Sequence, residues 1–145
     1  MSLVEQFVRT AKQHESKLAI VDRATGQRVT YRDALLRGLI LSRKFRRYAP
    51  GMIGVMIPTS GGAIYAMIAA LMSGRTPVMI NYSTGAAQNC GMAQRRLAFR
   101  TIITSRALLE KIKCPLLDGM VCIEDIAAGV TMVEKLGGLL RSKMS

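Results

Sequence analysis

"MIGVMIPTSGGAIYAMIAALMSGRTPVMINY", residues 52–82, decides the fold class. The run "MIGVMI" is apolar without alternation and has the length of a strand buried on both faces. Pro58 to Gly62 interrupt it, and "GGAIYAMIAALMSG" follows with helical patterning that ends at Gly74. "TPVMIN" then reads as a second apolar strand. A strand, a helix and a strand in this order form the crossover that joins parallel neighbours. Residues 51–74 carry no charge. A membrane-spanning helix needs about 20 consecutive apolar residues that can all be helical. The Pro58–Gly62 break leaves a strand and about three helical turns, so burial between layers is the better account.

The same alternation extends in both directions. Upstream, Leu3, Val4, Phe7, Val8 and Ala11 are spaced for an amphipathic helix over 3–14. "LAIVD" and "QRVTY" read as two short strands joined at a turn carrying Gly26. Thr30 followed by Asp33 resembles a helix N-cap, and a helix is predicted over about 31–48. Its core stripe is Ala34, Leu35, Gly38, Leu41, Ser42 and Phe45. The opposite side carries Arg32, Arg43, Lys44, Arg46 and Arg47, with Leu36 and Ile40 among them. Downstream, "TGAAQNCGMAQRRLA" and "RALLEKI" read as helices, "RTIITS" and "GMVCIED" as strands, and "VTMVEKLGGLLRSK" as a terminal helix. The fold class is α/β: a mostly parallel sheet with helices on both faces, in one domain spanning 1–145.

Charge is distributed unevenly. The net charge is +12, and no carboxylate occurs between Asp33 and Glu110. That interval holds Arg37, Arg43, Lys44, Arg46, Arg47, Arg75, Arg95, Arg96, Arg100 and Arg106. Such a surface either attracts an anionic partner or is simply solvated. Nucleic acid is a poor fit, because aromatics are 5% of the chain, Trp is absent and no recognition motif appears.

Sites that would carry chemistry fail on inventory. The Pro58–Gly62 loop has no lysine for a Walker-type loop and no G-x-G-x-x-G. Two readings of it remain. Free amides at the helix start would accept an anion, or Ser60 caps the helix and Gly61 and Gly62 permit a tight turn. Ala63, Ala66 and Ala70 on one face of that helix allow close packing by another element. His14 is the only histidine, and no G-x-S-x-G surrounds a serine, so no nucleophilic triad assembles. The carboxylates lie in terminal segments, where ion pairs or helix ends explain them. Cys90, Cys114 and Cys122 lack metal-type spacing and suit reduced thiols in a cytosolic protein. No catalytic, cofactor-binding or metal-binding residue is assigned.

The ordered set "KLAIVDRATGQRVTYRDAL", "MIGVMIPTSGGAIYAMIAALMSGRTPVMINY" and "RTIITSRALLEKI" resembles the start of AMP-forming acyl-activating (adenylate-forming) enzymes. "VTYRDAL" matches the first core motif of that superfamily and "LMSGRTPVMINY" the second. The pattern is most similar to acyl-ACP synthetases, including those fused to 2-acylglycerophosphoethanolamine acyltransferases, over about Leu18 to Leu140. The resemblance implies the first flavodoxin-like subdomain of an AMP-dependent ligase that converts a fatty acid, through an acyl-adenylate, to an acyl-ACP or acyl-CoA thioester. It also implies ATP and Mg²⁺ for the full-length enzyme, and a nucleotide loop ending in Pro-Lys-Gly that would follow "RSKMS". By that reading the chain alone is inactive, and its first partner is the rest of the parent enzyme. Further expectations are an acidic acyl carrier protein or an anionic membrane surface as partner of Arg43, Lys44, Arg46 and Arg47, self-association of the isolated chain, and a cytoplasmic location or membrane association of the whole enzyme. The alternative is a stand-alone flavodoxin-like module that binds an anion, a nucleotide or another protein.

Overall fold

The computed structural model describes residues 2–129. Along the chain the elements are α1 (Leu3–Gln13), β1 (Leu18–Asp22), β2 (Gln27–Thr30), α2 (Tyr31–Phe45), β3 (Met52–Met56) and α3 (Gly61–Met72). They continue with β4 (Thr76–Met79), α4 (Ala86–Leu97), β5 (Ile102–Thr104), α5 (Arg106–Lys111), β6 (Met120–Cys122) and α6 (Ile123–Ala128). The helix predicted over 130–143 lies outside the described residues.

β3 to β6 form a four-stranded sheet in the order β4-β3-β5-β6, and every pairing is parallel. Chain order therefore maps to position 2-1-3-4, the flavodoxin-like arrangement. Right-handed crossovers send α3 to one face of the sheet and α4 and α5 to the other. Alternate side chains record this division. Ile53, Val55, Ile57 and Ile103 pack with α2 and α3, whereas Met56, Ile102, Met120 and Cys122 pack with α4 and α5. β1 and β2 form a separate antiparallel hairpin.

Local chemistry sets the helix starts. Thr30 Oγ1 accepts from the Asp33 amide, so the predicted cap forms with Asp in the first turn. Ser2 and Glu5 form a reciprocal capping box at α1. The alanines of α3 face the sheet, and Ala66, Ala69 and Ala70 are fully buried there. α2 and α3 also come close. A Cβ on Gly38 would sit 2.8 Å from Ile68 Cγ2.

Three boundaries or faces differ from the sequence reading. α2 stops at Phe45 rather than near 48, because the Arg75 guanidinium takes the carbonyls of Arg46 and Tyr48 and the chain turns there. "IED" is helical, not strand: β6 ends at Cys122, and Glu124 and Asp125 fall in the first turn of α6, where carboxylates suit the helix dipole. Ile40 and Lys44 are buried rather than on an exposed basic face. α6 packs against that side of α2, and Lys44 Nζ donates to the Gly129 carbonyl at 3.3 Å.

Candidate functional site

In an open α/β sheet, ligands favour the carboxyl ends of the strands where the strand order reverses. Here that crevice lies between β3 and β5, so it is bounded by the Ile57–Ser60 loop and by Ser105. Thr104 Oγ1 donates to the Met56 carbonyl at 2.8 Å and ties the two strand ends together. Of the helices that start at this end of the sheet, α3 and α5 follow β3 and β5 and so open beside the crevice.

The chain's own carboxylates take up both. At α3, Ser60 Oγ accepts from the Ala63 amide at 3.3 Å and donates to the Pro58 carbonyl at 2.8 Å. The Gly61 amide donates to Asp22 Oδ2 at 3.0 Å, across 39 residues of sequence. Asp22 also closes its own turn, accepting the Ala24 amide at 3.1 Å. The Gly61 amide is the main influence on the Asp22 carboxyl; burial opposes it and bonds from Ala24 and Thr25 assist it, so the pKa lies below the ordinary 3.8. At α5, Glu124 accepts from the Ser105 hydroxyl at 3.0 Å and from the amides of Arg106 and Ala107 at 2.9 and 3.1 Å. Burial pushes the Glu124 carboxyl up, but these donors outweigh it and the net shift is downward. The positive ends of α3 and α5 are thus occupied by anions that the fold supplies.

Gly61 and Gly62 do not serve a tight turn. Neither has a positive φ, and both lie in the first turn of α3. Ser60 does cap the helix, as one of the two sequence readings held. The carboxylates at helix ends and in ion pairs also follow the sequence reading: Asp22 and Glu124 sit at helix ends, and Asp118 and Asp125 pair with Arg100 and Arg106.

The remaining candidates are dispersed. His14 lies near Tyr31, with ring centroids 6.5 Å apart. Cys90 is buried, its Sγ 3.6 Å from Met56 Sδ, and burial pushes its thiol up to about 11. Cys122 is buried with its pKa raised for the same reason, while Cys114 is half-exposed. Arg46 and Arg47 are exposed beyond the end of α2 and Arg43 is half-exposed, whereas Lys44 is not part of that surface. Among the described residues, no group of three or more His, Cys, Asp or Glu is placed to hold a metal ion. No described helix is long and apolar enough to cross a membrane.

Sequence reasoning missed two features near this end of the molecule. Arg37 Nη1 donates to the Tyr65 hydroxyl at 2.8 Å and its guanidinium lies 5.2 Å from the ring centroid, fastening α2 to α3. An apolar groove of about 270 Å³ lies between α1, α2 and α3, lined by Leu3, Phe7, Ile64, Met67, Ile68 and Leu71 among others. The bulky face of α3 was visible as a stripe, but its partial cover by α1 was not.

The architecture is that of the N-terminal subdomain of adenylate-forming enzymes, a likeness of fold at low sequence identity. The nonribosomal peptide synthetase FmoA3, bound to alpha-methyl-L-serine-AMP, matches 86% of this chain with a TM-score of 0.72 and 16% identity. The Klebsiella oxytoca NpsA N-terminal subdomain, in complex with 3-hydroxybenzoyl-AMSN, matches 90% with a TM-score of 0.74 and 14% identity. A benzoate CoA ligase from Burkholderia xenovorans LB400 matches 90% with a TM-score of 0.73 and 19% identity. The chain spans 14%, 32% and 29% of those three structures, respectively. No family model matches the chain.

Proposed function

We propose that this chain is the N-terminal scaffold subdomain of an AMP-forming ligase that activates a fatty acid. The observation that carries the reading is the match of 86–90% of the chain to adenylate-forming enzymes of much greater length. The order of the motifs "VTYRDAL" and "LMSGRTPVMINY" supports the same class, and the fatty-acid and acyl-ACP or acyl-CoA assignment rests on the sequence resemblance. In the parent reaction a carboxylate oxygen attacks the α-phosphorus of ATP and displaces pyrophosphate. A thiol sulfur then attacks the acyl carbon and AMP leaves.

The crevice between β3 and β5 is a poor fit for nucleotide phosphates or Mg²⁺: the Gly61 amide is bonded to Asp22, the Arg106 and Ala107 amides to Glu124, and no group of three or more His, Cys, Asp or Glu is gathered among the described residues. That chemistry falls to the rest of the parent protein, in a cytoplasmic setting. The same carboxylates count against a stand-alone anion- or nucleotide-binding module. The chain contributes the rigid sheet and the surfaces around it. Arg43, Arg46 and Arg47 would steer an acidic acyl carrier protein. Charge reversal at these three positions would then slow thioester transfer by the full-length enzyme and flatten its salt dependence. Loss of vesicle binding instead would assign the cations to a membrane surface.

The test is ATP–pyrophosphate exchange. The 145-residue chain alone gives none with fatty acids of any length, whereas the full-length protein carrying it gives fatty-acid-dependent exchange. Exchange by the chain alone, or none by the full-length protein, would overturn the proposal.

A further inference from the structure

We draw no further inference here: the strongest candidate, the apolar groove between α1, α2 and α3 lined by Leu3, Phe7, Ile64, Met67, Ile68 and Leu71, carries nothing because no feature of the structure shows whether a ligand, another part of this chain or a longer protein covers it.

Discussion

Replacing Gly62 by Ala separates a phosphate-cradling loop from a capped helix start. A glycine kept for a ligand's approach loses binding when a methyl is added, and a glycine kept for a left-handed turn loses stability. Gly62 has neither requirement. It is the second residue of α3 and has no positive φ; a Cβ there would meet only Ser60 Oγ, at an ordinary 3.7 Å. The substitution therefore acts mainly on the unfolded chain, whose freedom it reduces, and stabilises by about 0.4–1 kcal/mol. For 145 residues the unfolding entropy near the midpoint is about 0.3 kcal/mol/K, so Tm should rise by about 1–3 °C. Differential scanning calorimetry in phosphate-free buffer reads this directly. A fall in Tm of 2 °C or more, on the order of 0.6 kcal/mol lost, would refute the placement of Gly62 inside the helix.

Other perturbations have signs that are equally definite. Gly119→Ala should destabilise by at least about 2 kcal/mol in urea unfolding, because a side chain at a positive φ is strained and the new Cβ would run into the Arg100 carbonyl. Asp22→Asn should cost stability that depends on pH. With a carboxyl pKa lowered by the fold, the contribution of Asp22 is fully present above the ordinary 3.8 and disappears as pH falls through the lowered value. Unfolding free energies of the two proteins should therefore differ by a constant amount near neutrality and converge in acid. An alkylating reagent at pH 8 should modify Cys114 first, leaving Cys122 buried and Cys90 both buried and with its thiol pushed up to about 11. Mass spectrometry of the labelled peptides ranks the three.

Much of the fold was legible because short-range patterns decide it. Continuous apolar runs located β3 and β4, and Thr30 and Ser60 marked the starts of α2 and α3. "IED" was misread because a strand of only three residues, Met120–Cys122, passes straight into a helix with no turn residue between them. Lys44 and Ile40 were misplaced because α6 covers that side of α2 from more than 80 residues away, as the 85-residue span of the Lys44–Gly129 bond shows. The candidate site was legible only in part. The cap at Ser60 is local, spanning three residues, but the Asp22–Gly61 bond spans 39 and depends on how the hairpin sits against α3. Periodicity carries no signal of such a contact. Glu124 is similar: its partners at the start of α5 lie 17 to 19 residues upstream.

The central claim is that the Gly61 amide at the start of α3 holds Asp22, so that phosphate chemistry belongs to the rest of the proposed parent enzyme. Backbone amide NMR of the 145-residue chain during titration with inorganic phosphate, AMP and ATP tests it most directly. The account predicts no saturable shift at Gly61, Gly62 or Ala63, with any response confined to exposed arginines and weakened by salt. A saturable shift at Gly61 that persists at physiological ionic strength would contradict it.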